Sequence, residues 1–157
     1  MRERVVLDTS VLVSALRSRT GGSRDVLRRC LTRRCQPLIG EKLFGEYEEV
    51  LGRSSPFAGS PLNHAERTEL LDAFLAVCLW VPVYFLWRPN LPDESDNHLV
   101  ELAVAGAAAA IVTHNVRDLR GGELLFPQLR IETPYAALRR WRIQDGHDDD
   151  PNARRQA

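Results

Sequence analysis

Val5-Val6-Leu7-Asp8-Thr9-Ser10-Val11-Leu12-Val13, residues 5–13, is the stretch of sequence that predicts the fold class. A short β-branched run that ends in polar residues is typical of a strand buried in a parallel sheet. Open α/β sheets build their sites at the carboxyl ends of such strands. Asp8 stands at that position, so it is the first candidate functional residue.

The rest of the chain alternates between predicted strands and predicted helices. After the strand at 4–8, strands are predicted at 37–39, 80–86, 109–113 and 130–132, with helices between and after them. This alternation favours an α/β protein, a three-layer α/β/α sandwich with a mainly parallel central sheet. We expect residues 1–142 to form one domain. Residues 143–157 are polar, without periodic apolar positions, and are predicted to be a disordered tail.

Length and composition are those of an ordinary water-soluble domain. The chain has 157 residues, 44% of them hydrophobic and 27% charged, which is enough to bury one core. No apolar run reaches the roughly 18–20 residues of a membrane span, and the N-terminus leads directly into a strand without a secretory signal. The three cysteines lack CxxC spacing, which indicates reduced thiols. We therefore expect a cytoplasmic protein with no membrane contact.

Charge is balanced overall but unevenly distributed. The first 35 residues hold nine arginines and only three acidic residues, although the net charge of the whole chain is zero. Arginine binds phosphates and carboxylates equally well. The basic region is therefore compatible with RNA, with an acidic protein partner, or simply with solvated helix faces.

Three further acids occupy positions comparable to that of Asp8: Glu46, Asp96 and Asp118. Glu46 lies at the edge of the apolar face of its helix, where a carboxylate is costly without a partner. Asp96 opens a helix and Asp118 follows a strand. Each acid also has a purely structural explanation, such as a helix cap, a helix-start acid or a surface salt bridge. Together, four acids near one edge of a sheet indicate a shared site.

Four neighbouring carboxylates repel one another unless a cation lies among them. Mg²⁺ and Mn²⁺ prefer such oxygen ligands, and a bound divalent ion assists attack of water on a phosphodiester. Thr113 and Asn115 are expected to hold water or phosphate as neutral groups. The acids therefore predict a metal-dependent phosphodiesterase.

Four segments of this sequence resemble the motifs of PIN-domain nucleases, in order and at similar spacing from about residue 4 to 138. The resemblance is greatest to the VapC-like toxins of bacterial toxin–antitoxin pairs. The segments are residues 5–16 (VVLDTSVLVSAL), 43–51 (LFGEYEEVL), 96–103 (DNHLVELA) and 111–119 (IVTHNVRDL).

This resemblance implies a PIN fold, Mg²⁺- or Mn²⁺-dependent cleavage of RNA, and a cognate antitoxin protein. It also implies that Asp8, Glu46 and Asp96 are the core metal-binding acids and Asp118 the fourth. Ser10 stands where many relatives have Asn, and Asn115 where some have Asp; the second difference bears on whether a second metal ion binds. Asp93 is expected to tune the local potential. Phe57 and Trp87 are candidates for an antitoxin or homodimer interface, or either is covered by its own loop.

Other enzyme classes fit less well. A haloacid dehalogenase-type phosphatase requires a second Asp where Ser10 stands, and a receiver domain requires a buried lysine that Lys42, the sole lysine, does not match. No GxSxG motif and no glycine-rich turn after the first strand are present. The remaining alternative is a PIN-like module that binds RNA or protein without cutting, and four retained acids argue against it.

Overall fold

The computed structural model describes residues 2–53, 55–84 and 96–148. Its strands form one parallel sheet in the order β3-β2-β1-β4-β5. The strands are β1 (Glu3–Leu7), β2 (Cys35–Ile39), β3 (Leu79–Trp80), β4 (Ala110–Val112) and β5 (Arg130–Glu132). The strand order reverses on either side of β1, and this is the point at which open α/β sheets bind ligands.

Helices flank this sheet, as the alternating sequence predicts. The described helices are α1 (Thr9–Arg17), α2 (Gly22–Leu31), α3 (Glu41–Leu51), α4 (His64–Val77), α5 (Asn97–Ala105), α6 (Val116–Leu125) and α7 (Pro134–Asp148). The α/β/α class with a parallel sheet is therefore confirmed.

The core lies on and around β1. Val5, Val6 and Leu7 are at most 1% exposed, and the paired residues Ile111 and Val112 of β4 are fully buried. A strand buried on both faces has no polar side to alternate with, which is why its sequence is continuously apolar up to Asp8.

Two element boundaries differ from the sequence-based prediction. The sequence predicts a helix from Ser23 to about residue 35, but α2 ends at Leu31, because Arg33 adopts a left-handed backbone (φ 61°), and Cys35 already begins β2. The predicted strand at 80–86 is reduced to Leu79–Trp80; residues 81–84 are not in a strand, and 85–86 lie outside the described residues.

The chain after β4 contains more helix than the sequence pattern predicts. Residues 116–125, which include Asp118, form α6. Helix α7 continues past 142 to Asp148, and Asp145 on it forms ion pairs with Arg29 (3.0 Å) and Arg34 (2.7 Å). Local periodicity does not reveal ion pairs between residues so far apart in the sequence. Residues 149–157 of the predicted tail lie outside the described residues.

The predicted interface residue Phe57 lies in the core. It is 4% exposed and its ring is covered by the guanidinium of Arg67 at 4.5 Å. Its sequence neighbourhood is polar, which made it look like a surface residue. Trp87 lies outside the described residues. Within the described part of the chain, no helix combines the length and apolar character needed to cross a membrane.

Candidate active site

Asp8 lies where β1 ends and α1 begins, and it is 8% exposed. Its side chain makes no capping hydrogen bond to α1, so the structural explanation as a helix cap does not apply. Instead its Oδ2 accepts hydrogen bonds from the Ser10 hydroxyl at 2.9 Å and the Thr113 hydroxyl at 2.7 Å. The backbone fixes the same position, because the Asp8 amide donates to the Val112 carbonyl at 3.0 Å.

The two hydroxyls connect Asp8 to the turn between β4 and α6. The His114 amide donates to Ser10 Oγ at 3.3 Å, and the Asn115 amide donates to Thr113 Oγ1 at 2.9 Å. Each hydroxyl therefore accepts from an amide and donates to the carboxylate, which makes it a better donor. Both bonds go to Oδ2. No donor among the described residues is bonded to Oδ1 of Asp8, and that oxygen remains available to a ligand.

Glu46 lies beside Asp8 across the α1–α3 contact. Thr9, the residue after Asp8, donates its hydroxyl to Glu46 Oε2 at 3.0 Å. His98 Nε2 lies 2.8 Å from Glu46 Oε1. The Glu46 side chain is 38% exposed, as expected for a carboxylate at the edge of an apolar helix face. Glu46 is therefore bonded to the residue that follows Asp8, at the carboxyl end of β1.

Tyr47 positions this glutamate. Its ring is fully buried, and its hydroxyl donates to the Leu7 carbonyl, the last residue of β1. Burial raises the pKa of Tyr47 well above its usual value, so the phenol stays a hydrogen-bond donor across the physiological pH range. Glu46 precedes Tyr47 in α3, so this bond fixes the helical turn that carries Glu46 against the end of β1.

Asp96 and Asp118 take different positions. Asp96 immediately precedes α5, two residues before His98, and makes no side-chain capping bond. Asp118 is exposed in the first turn of α6, where its amide donates to the Asn115 carbonyl at 3.2 Å.

The four acids do not form one compact cluster. Across residues 2–53, 55–84 and 96–148, no three His, Cys, Asp or Glu side chains lie close enough together to hold one metal ion. The structure joins Asp8 and Glu46 through Thr9, and the metal-binding roles of Asp96 and Asp118 stay predictions. Asp93 lies outside the described residues.

Two residues at the site were not predicted: Thr9 and His98, which each contact one carboxylate oxygen of Glu46. His114, which follows Thr113 in the sequence, lies with its Nε2 3.0 Å from the Ser23 hydroxyl of α2. His98 was visible in the sequence as a polar residue two positions after Asp96. Its contact with Glu46 joins residues 52 apart, which local patterns do not reveal.

Comparison with known proteins gives a family and a fold. Residues 4–117 match the sequence model of a family described as PIN domain. A chain in the crystal structure of VapBC2 from Rickettsia felis, bound to a DNA fragment from their promoter, aligns with a TM-score of 0.54 and 15% identity. The alignment covers 83% of this chain and 98% of that chain, and at this identity it shows a similar fold. No curated protein matches the sequence.

Proposed function

This chain belongs to the PIN domain family, and from that membership we propose that it is a divalent-metal-dependent ribonuclease, the toxin of a toxin–antitoxin pair. The observation that carries this proposal is the Asp8–Glu46 pair at the carboxyl end of β1. Both carboxylates are oriented by hydroxyl or imidazole groups, and no described residue donates to the second oxygen of Asp8.

The chemistry of this pair fits Mg²⁺ or Mn²⁺. Mg²⁺ is held by one or two carboxylates and keeps several waters and substrate phosphate oxygens as its other ligands. Asp8 and Glu46 would supply the carboxylates, with Asp96 and Asp118 as further acids around the bound ion and Asp93 tuning the potential. A divalent ion supplies Lewis-acid activation of the phosphoryl group and of water.

The remaining residues orient the carboxylates and the substrate. Ser10 and Thr113 both donate to one oxygen of Asp8, Oδ2. His98 and Thr9 restrict the rotamers of Glu46. Such positioning lowers the reorganisation needed at the reacting centre. We propose that water attacks the phosphodiester in line and leaves a 3′-hydroxyl and a 5′-phosphate.

The proposed partners follow from the family and from the structural neighbour. The matched chain belongs to VapBC2, a complex bound to promoter DNA. By analogy we propose a cognate antitoxin protein for this chain, a cytoplasmic location, and a homodimer as its own oligomeric state.

A second function is favoured by one observation. Within the described residues, the acids do not form a group of three. This arrangement is compatible with a PIN-like module that binds RNA or protein without cutting it. The two functions differ in whether bound metal and cleavage depend on Asp8.

The deciding experiment is cleavage of a mixed RNA pool by the purified protein with Mn²⁺, Mg²⁺ or EDTA. Asp8→Asn and Asp96→Asn are compared with Asp25→Asn, a matched change in an exposed ion pair with Arg28 (3.2 Å). We expect metal-dependent cleavage that is lost in the first two variants and kept in the third. A folded wild-type protein that neither cuts RNA nor binds Mn²⁺ supports the non-catalytic module. Cleavage that survives Asp8→Asn contradicts the proposed site.

A further inference from the structure

An open cleft of about 700 Å³ lies beside the carboxyl ends of β2 and β3, between α3 and α5. Its volume is in the range of small-molecule sites, roughly 300–1,000 Å³. Its lining includes Lys42, Trp80, Tyr84, His98 and Glu101. His98 also contacts Glu46, so the cleft adjoins the acidic site described above.

Glu101 is the unusual residue of this cleft. It is 5% exposed, yet no described residue gives its carboxylate a hydrogen bond or an ion pair. Its oxygens are not among the fully buried unpaired atoms of the described residues, so they are accessible from the cleft that Glu101 lines. A ligand that brings N–H donors into the cleft would give this carboxylate the hydrogen bonds that the described residues do not.

The other lining residues indicate what kind of ligand brings these donors. Trp80 is 53% exposed and Tyr84 is 84% exposed, and both line the cleft. Exposed aromatic rings beside a basic residue are typical of single-stranded nucleic-acid sites, where bases stack on the rings and the cation meets the phosphate. Lys42, the sole lysine of the chain, supplies the cation here.

We propose that this cleft binds a guanine base of the RNA substrate, with the Glu101 carboxylate accepting from guanine N1–H and the 2-amino group. This inference rests on the proposed ribonuclease function and specifies its substrate. Guanine presents two adjacent donors, which match the two oxygens of one carboxylate. Uracil presents a single N–H between two carbonyl oxygens, which the carboxylate repels. N1–H and the 2-amino group lie on the Watson–Crick edge of guanine, and RNA-binding proteins characteristically recognise unpaired bases on this edge.

An arginine side chain from a protein partner is the competing occupant, because a guanidinium also offers paired donors. Charge alone does not separate the two occupants, because Lys42 is offset by Glu41 on the rim of the same cleft. The exposed aromatic pair favours a flat base.

The test measures calorimetric binding of nucleoside monophosphates to the wild-type protein in EDTA, so that neither metal nor cleavage contributes. We expect 5′-GMP to bind about ten- to a hundredfold more tightly than 5′-UMP, which is the discrimination of one bidentate base contact. Inosine 5′-monophosphate lacks the 2-amino group and should bind with intermediate affinity.

Variants assign the preference to the carboxylate. Glu101→Gln should lose most of the difference between GMP and UMP. Glu41→Gln, the same change at an exposed position on the rim of the cleft, should keep it. If Glu101→Gln does not fold, the affinities of the wild-type protein still test the proposal: GMP should bind most tightly, inosine monophosphate less tightly and UMP least.

Equal or absent binding of GMP and UMP overturns the proposal, and so does binding of N-acetyl-arginine amide in preference to GMP. The outcome is separable from that of the nuclease assay. RNA cleavage without guanine preference refutes only the base site. Guanine binding by a protein that cuts no RNA supports the base site and refutes the nuclease.

Discussion

Replacing Thr113 with valine tests whether the hydroxyl network at Asp8 stabilises the site. Thr113 is fully buried, and valine keeps its shape while removing both hydrogen bonds of the hydroxyl. The bond to the Asp8 carboxylate (2.7 Å) is worth about 1.5–3 kcal/mol because its acceptor is charged. The bond from the Asn115 amide (2.9 Å) adds about 0.5–1.5 kcal/mol.

The two losses together predict that Thr113→Val lowers the free energy of unfolding by about 2–4 kcal/mol, a large share of the 5–15 kcal/mol typical of a domain. For a chain of this size the melting temperature should fall by about 5–15 °C. Urea unfolding at pH 7, followed by circular dichroism, measures the change directly.

Thr113→Ser is the matched control. It keeps the hydroxyl and removes one buried methyl group, which costs about 1 kcal/mol. We expect the serine variant to be clearly more stable than the valine variant. If the two variants unfold at the same urea concentration, the network contributes nothing measurable and the reasoning is wrong.

Four further outcomes are expected. Arg140→Met should cost about 3 kcal/mol, because Arg140 bonds both Glu3 (2.6 Å) and Glu132 (2.8 Å) in a largely buried network. Burial works to raise the pKa of Glu3, but the hydrogen bonds and charge of Arg140 lower it below its usual 4.5. Urea unfolding should therefore show this stabilisation in full above pH 4.5 and its loss as the pH falls through the lowered pKa. Mn²⁺ at ten times its dissociation constant should stabilise the wild-type protein by about 1.4 kcal/mol in thermal unfolding, and Asp8→Asn should abolish this shift. Burial raises the pKa of Cys30 well above its usual value, so Ellman's reagent at pH 8 should label Cys30 only after unfolding; rapid labelling of the folded protein contradicts this.

The fold class and the position of Asp8 were predictable because they depend on local pattern. A continuously apolar strand followed by an acid and an amphipathic helix can be recognised from a dozen neighbouring residues. Asn63 followed three residues later by Glu66 likewise predicts a capping box, and the structure confirms it at the start of α4. The edge position of Glu46 followed from its spacing to Leu43, which is buried, and Val50, which packs against the core.

Element ends and site partners were less predictable because distant residues decide them. The length of α7 depends on ion pairs between Asp145 and two arginines more than 100 residues away. The contacts of Glu46 with Thr9 and His98 likewise join three separate segments. No window of sequence contains both partners of such a contact.

Residue types and their periodicity alone indicate an α/β protein with acids near the carboxyl ends of its strands. They do so because burial and helix or strand geometry impose patterns that span only a few residues. Tertiary packing decides which of those acids meet: Asp8 and Glu46 are joined through Thr9, while Asp118 stays on the exposed face of α6. It also leaves Glu101, an ordinary helical glutamate in the sequence, buried beside a cleft. The physical reason is that the partners of a side chain come from segments far away in the sequence, and local conformational preferences do not determine which segments meet in the fold.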